Sequence, residues 1–288
     1  MNYLISVRKP LLPLQILHMK QLIWNYISDL RNTSPLVHSI TNYVVMNNTA
    51  NALLAAGASP IMAHAHQEMK DMVNIAGAVV INIGTLDEYW VESMRLAIRQ
   101  AEALKKPWIL DPVGAGATPY RNAVLKELTS IYHPSVIRGN ASEIMALAQM
   151  SVQTKGVDST HQTEEAIGAA IHLNTTTAAV ICVSGATDTI VHQQKTISLK
   201  NGDALMSKIT GMGCSATALI AAFCAAHPEN LFEATAAAMA LMGVAGQKAA
   251  AMAKGPGSLQ MHFLDILSTL TEEEFTELLI LEETYASI

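Results

Sequence analysis

The chain has 288 residues, half of them hydrophobic and 15% charged, with a formal net charge of −6. This balance, with no long basic run, excludes a protein that follows a nucleic-acid backbone, and so apolar a composition implies a large buried fraction or an interface that hides further surface. Three cysteines without a CxxC pair fit a reduced, cytoplasmic protein, and the longest apolar stretches, 215–226 and 234–246, are too short to cross a bilayer.

Residues 1–17 are apolar but interrupted by Arg8, Lys9, Pro10 and Pro13. They read as an N-terminal extension, loose up to residue 13, and not as a cleavable leader. Met19, Ile23, Tyr26, Ile27 and Leu30 then mark one face of an amphipathic helix that Pro35 ends. Val37-His38-Ser39-Ile40 predicts a strand. Thr41 or Asn42 is placed to cap the next helix, which runs to Ala56 and stops at Gly57. Asn42 equally suits a ligand, because strand-to-helix junctions carry the binding residues of α/β proteins. Asn47, Asn48 and Asn51 are unusual in a helix; they either bond to neighbouring elements or face solvent. Ser59-Pro60-Ile61-Met62-Ala63 predicts another strand, with Met62 read as core. His64 and His66 have no third metal ligand nearby and read as solvated.

Ala78-Val79-Val80-Ile81-Asn82-Ile83 is a continuous apolar run into Gly84-Thr85, the pattern of a strand buried on both faces. A helix over 87–105 follows. Pro107-Trp108-Ile109-Leu110-Asp111 is the next strand, and Asp111-Pro112-Val113-Gly114-Ala115-Gly116 is the loop at its end. An acid there holds Mg²⁺, steadies a phosphate or caps the turn. Ser135-Val136-Ile137-Arg138 repeats the pattern and runs through Gly139-Asn140-Ala141-Ser142-Glu143 into a helix. Arg138 offers a fork of donors to a phosphate. Glu143, one turn into the helix, suits a metal contact through water or is simply a favourable N-terminal charge. Residues 151–162 read as a polar loop and 163–176 as a helix. A buried strand over 178–183 leads to Ser184-Gly185, and 188–199 predicts a short hairpin.

Lys208-Ile209-Thr210-Gly211-Met212-Gly213-Cys214-Ser215-Ala216 organises the rest. The small-residue apolar run after it predicts a buried helix starting near Gly213. The first N–H groups of such a helix have no partner within it, and with the helix dipole they form a site for a phosphoryl group. The same letters fit a plain tight turn, or a loose dinucleotide fingerprint that lies too late in the chain. Cys214 is a reactive thiol beside that site or a small buried residue. Two helices fill 213–254, followed by Gly255-Pro256-Gly257-Ser258 and a final helical region. Strands alternate with helices without repeat or linker, which implies a mainly parallel sheet covered on both faces.

The segments 35–63 (PLVHSITNYVVMNNTANALLAAGASPIMA), 81–86 (INIGTL), 108–116 (WILDPVGAG), 137–144 (IRGNASEI), 183–185 and 211–214 resemble hydroxyethylthiazole kinases. So do Gly255-Pro256-Gly257-Ser258 and Phe263-Leu264-Asp265, and the order of the family is kept across residues 35–265. The resemblance implies a ribokinase-like α/β fold, a three-layer sandwich in which helices cover both faces of a mainly parallel sheet, as one kinase domain over 18–288. It implies transfer of the ATP γ-phosphoryl group to 4-methyl-5-(2-hydroxyethyl)thiazole with Mg²⁺. It also implies a homotrimer with active sites between subunits.

Carried over by matching motifs, the resemblance assigns Asp111 and Glu143 to Mg²⁺ and Arg138, Ser184 and Asn140 to ATP. It assigns Asn42, Met62 and Gly211 to the thiazole, which replaces the core reading of Met62. The backbone of Gly211-Met212-Gly213 and the Cys214 thiol stand at the reacting centre. Cys214 takes the position where most ribokinase-like kinases carry an aspartate base; a helix N-terminus favours a thiolate there, and a triphosphate opposes it. Met212 departs from the family's usual Thr or Ala. The alternative readings are a kinase for another small alcohol, such as a hydroxymethylpyrimidine, and a silent thiazole or nucleotide binder.

Overall fold

The computed structural model describes residues 13–151 and 162–285. Helix α1 (Pro13–Thr33) leads into strand β1 (Leu36–Ile40), and α2 (Met46–Ala56) into β2 (Ser59–Ile61). Next come α3 (Met69–Ile75), β3 (Ala78–Asn82), α4 (Glu88–Ala103), β4 (Trp108–Asp111), α5 (Pro119–Ile131), β5 (Val136–Asn140) and α6 (Ala141–Ser151). The chain continues through α7 (Gln162–Thr177), β6 (Val180–Ser184), β7 (Asp188–His192) and β8 (Lys195–Leu199). It closes with α8 (Met212–Ala226), α9 (Leu231–Met252), α10 (Pro256–Thr269), α11 (Glu272–Leu278) and β9 (Leu281–Tyr285).

The strands form one sheet in the order β2-β1-β3-β4-β5-β6-β7-β8-β9. The first six are parallel to their neighbours, and β7, β8 and β9 add on antiparallel. Successive strand residues face opposite sides, so each central strand feeds two cores. Ala78 and Val80 of β3 join α1, α2 and α8 to α11 on one side. Val79 and Ile81 join α3 to α7 on the other. The expected sandwich of helices on both faces of a mainly parallel sheet is what forms. Pro60, which cannot donate to a second neighbour, lies in the outermost strand β2.

Local chemistry sets the helix ends. Asp87 caps α4 by accepting the Trp90 N–H at 2.7 Å, and Thr118 caps α5 ahead of Pro119. Gly57, at φ 105°, closes α2 as the sequence predicts. From Ser215 to Cys224 every residue of α8 is buried, and the helix packs on β1, β3 and β4.

Several expectations are corrected. The loose segment ahead of residue 13 and the body of the polar loop, 152–161, lie outside the described residues. Helix α1 begins at Pro13, ahead of the amphipathic face read from Met19. Neither Thr41 nor Asn42 caps α2, which starts only at Met46, behind Val45 and without a side-chain cap. Strand β2 stops at Ile61, leaving Met62 and Ala63 beyond it. His64 and His66 are half-buried rather than solvated, with their rings against Trp90 and Tyr89 at centroid distances of 4.2 and 3.8 Å. Helices α3 and α5 are additional to the predicted elements, and the final region holds strand β9 as well as helices.

Candidate active site

The parallel strands deliver the singled-out residues to their C-terminal edge, where ligands of open α/β sheets bind. Gly211, at φ 85°, turns the chain into α8 with no side-chain cap. A Cβ on Gly211 would lie 2.8 Å from Val45 Cγ1. Only glycine satisfies both the left-handed backbone and this close approach. Ser215 makes the first helical bond, back to the Gly211 carbonyl at 2.8 Å. The N–H groups of Met212, Gly213 and Cys214 precede it, on the positive end of the helix dipole.

Gly213 faces Arg138. A cavity of about 500 Å³ opens beside them, lined among others by Ser184, Asp188, Met206, Met212 and Met239. Ser184 donates to the Gly139 carbonyl at 3.3 Å. Arg138 is half-buried, and its Nε lacks a partner in the protein. The buried Asp188 carboxylate accepts the Gly185 N–H at 3.0 Å, and burial pushes its pKa up to about 6.

Cys214, one residue further, faces a different set. Its sulfur accepts Asn82 Nδ2 at 3.2 Å and Asn42 Nδ2 at 3.5 Å. Asn82 Nδ2 also donates to Asp111 Oδ2 at 2.7 Å, and Thr217 Oγ1 donates to the same oxygen at 2.8 Å. Burial pushes the Asp111 carboxyl up to about 6, against the Arg138 charge and these two bonds. Burial and the Asp111 charge push the Cys214 thiol up to about 11, against the two amide donors. In the protein alone, burial and the Asp111 charge thus work against the pull of the helix terminus toward a thiolate.

Glu143 and Asn140 form a reciprocal cap on α6. Asn140 Oδ1 accepts the Glu143 N–H at 2.9 Å, and Glu143 Oε2 accepts the Asn140 N–H at 2.9 Å. Glu143 Oε1 reaches the Gly114 N–H at 3.0 Å and so ties α6 to the loop after β4. Asn140 is exposed, with its side-chain oxygen engaged in the cap. Met62 is half-buried beyond β2, on the same edge but separated from β3 by β1. His38 of β1 anchors that segment through Nε2 to the Ala63 carbonyl, 2.8 Å apart.

Sequence reasoning gave no role to Asn82, Thr217 or Arg121. Asn82 is the single polar residue in the run of β3, and Thr217 stands one helical turn after Gly213. Arg121 donates to the carbonyls of Ile83, Val113 and Gly84 at 2.6 to 2.7 Å, joining the loops after β3 and β4. Its signal is weak, since one arginine in a surface helix looks like any other.

Among the described residues no group of three or more His, Cys, Asp or Glu side chains forms a metal site of its own. Asp111 and Glu143 flank one loop. Mg²⁺ binds through one or two carboxylates together with water and substrate phosphates, so this donor set fits a magnesium brought by a nucleotide. No helix among the described residues is long and apolar enough to cross a membrane.

The model of the hydroxyethylthiazole kinase family matches residues 27–273. A hydroxyethylthiazole kinase of Syntrophus aciditrophicus is 50% identical over 252 residues, which cover 87% of this chain and 93% of that protein. The solved structure of a hydroxyethylthiazole kinase protein from Pyrococcus horikoshii is similar with a TM-score of 0.85 and 40% identity, over 92% of this chain and 99% of that one. A ribokinase-like superfamily protein from Enterococcus faecalis shares the fold, with a TM-score of 0.63 at 14% identity over 89% of this chain and 94% of its own. Fold, motifs and relatives agree: the chain belongs to the hydroxyethylthiazole kinase family and has its ribokinase-like architecture.

Proposed function

We propose that the chain transfers the γ-phosphoryl group of ATP to the hydroxyl of 4-methyl-5-(2-hydroxyethyl)thiazole, the salvage step that returns the thiazole to thiamine synthesis. One observation carries the reading. Adjacent residues at the start of α8 face two compartments: Gly213 the cavity with Arg138, Cys214 the cluster of Asn42, Asn82 and Asp111. A cavity of about 500 Å³ is of the size small-ligand sites have.

In this reading Arg138 and Ser184 hold the phosphates, and Asn140 contributes from the rim. The N–H groups of Met212 and Gly213 receive the transferring group, while Gly211 keeps the turn open beside the thiazole. Asn42 and Met62 bound the alcohol, and Cys214 faces its hydroxyl. Asp111 and Glu143 serve Mg²⁺, Glu143 through water because its oxygens already accept backbone N–H groups. Bound with ATP, the metal supplies charge neutralisation at the phosphate oxygens. Transfer of this kind needs positioning and charge stabilisation more than a strong base, since the alcohol loses its proton late. That suits a thiol titrating near 11. A single kinase domain over 18–288, a homotrimer with shared sites and a cytoplasmic location complete the proposal; the apolar composition supports the buried interface.

A coupled ADP-release assay with Mg-ATP, with and without the hydroxyethylthiazole, tests it. Release that depends on the alcohol is expected. Folded protein that binds ATP yet releases no ADP with this alcohol would overturn the substrate assignment.

A further inference from the structure

Asn82 ends β3 and is fully buried. Its side-chain oxygen accepts Asn42 Nδ2 at 2.9 Å and the Gly84 N–H at 3.0 Å. Its side-chain nitrogen donates to Asp111 Oδ2 at 2.7 Å and to Cys214 Sγ at 3.2 Å. A primary amide has two N–H bonds and two oxygen lone pairs, so all of its hydrogen-bonding capacity is used. The orientation is fixed as well. A main-chain N–H only donates, so Gly84 holds the oxygen on its side and the nitrogen must face Asp111 and Cys214. Asn42, itself anchored on Asn82, presents a second N–H to the sulfur at 3.5 Å.

We infer that Asn82 is a positioning residue that acts through Cys214: it holds the sulfur as a hydrogen-bond acceptor and turns the remaining valence of that sulfur toward the incoming alcohol. The inference rests on the kinase reading above. A thiol whose sulfur accepts amide N–H bonds cannot aim its own S–H along those same directions. The S–H, or a lone pair when the group is ionised, is left to point to the open side. Cys214 has such a side: it is partly exposed, whereas Cys182 and Cys224 are fully buried. The same two donors steady negative charge on the sulfur whenever it develops. Asn82 also joins the ends of β1, β3 and β4 to the start of α8 through one side chain, so the alcohol side of the site moves as a unit.

The full chain, without ligand, is treated with iodoacetamide at a single pH, and labelling of Cys214 is followed by mass spectrometry. Wild type is compared with Asn82→Asp, which keeps both acceptor bonds and removes both donors, and with Asn82→Leu, which removes all four. Labelling of Cys214 slows roughly tenfold or more in both variants, the scale of a hydrogen bond to a charged group. Thiazole-dependent kcat falls by a similar factor in both variants, in step with the labelling rate of Cys214. Unchanged labelling in either folded variant overturns the inference. So does failure of both variants to fold, which would make the amide a structural cross-link. Loss of thiazole-dependent turnover in wild type would sink the kinase reading but leave the labelling comparison intact, so the two failures are told apart.

Discussion

The tip of Arg138 fills the space that a side chain on Gly213 would need: a Cβ there would lie 2.6 Å from Nη1. The guanidinium and the helix N-terminus therefore converge on one point. Gly213→Ala pushes aside a flexible side-chain end and leaves the main chain in place. We expect a folded protein with a melting temperature near wild type and a turnover reduced roughly tenfold to a hundredfold, below or at the loss of one oxyanion donor. Steady-state kinetics beside a thermal melt checks this, and full activity would show that Arg138 need not sit where it does.

Cys214 is expected to assist rather than to be indispensable. Its thiol titrates near 11, and a loose transfer demands little base help. Cys214→Ala should retain measurable turnover, roughly tenfold to a hundredfold below wild type, under the usual ceiling for acid–base catalysis. Cys214→Asp should remain active. Loss of all turnover in both folded variants would require a true base at this position.

Arg121 holds three carbonyls in the loops after β3 and β4. Arg121→Ala strips all three of their charge-assisted donor. A destabilisation of about 1–3 kcal/mol is expected, moderated because water can reach part of this region. Arg121→Lys should recover little, since one ammonium does not span the positions of a planar fork. Urea unfolding measures both, and a neutral Arg121→Ala would mean the loops hold themselves.

Two buried carboxyls, Asp111 and Asp188, titrate near 6, above their ordinary value of 3.8. Between those values the folded chain retains protons that the unfolded chain has released. Stability from these groups is therefore highest on the acid side, falls as pH rises through about 4 to 6, and is flat above. Asp188→Asn keeps an oxygen for the Gly185 N–H and removes the buried charge. It should gain about 1–2 kcal/mol at pH 7.5 and nothing near pH 4. Urea midpoints at the two pH values decide it; an equal gain at both would point to packing.

Much of the scaffold was legible because it obeys simple periods. The apolar run of 78–83, the helix over 87–105 that follows it and the glycine after α2 all speak in local sequence. Strand β9 does not. Leu281-Glu282-Glu283-Thr284-Tyr285 is as suited to a helix, and it is a strand because β8 offers an open edge to pair with. The loop at 211–213, Asp111 and Arg138 stood out as candidates through charge, glycines and strand ends. Asn82 was not, since its meaning lies in four partners that the sequence scatters from Asn42 to Cys214. His64 and His66 misled for the same reason, as the aromatic rings that cover them stand on α4.

Helix α8 is enclosed on all sides from Ser215 to Cys224 and braced on three strands. A dipole seated in this way cannot swing to follow a charge that appears at its end. The field at Gly213 is consequently present before any anion arrives, and little reorganisation accompanies turnover. The ordering entropy of that field was lost once, when the chain folded, and is not lost again in each catalytic cycle.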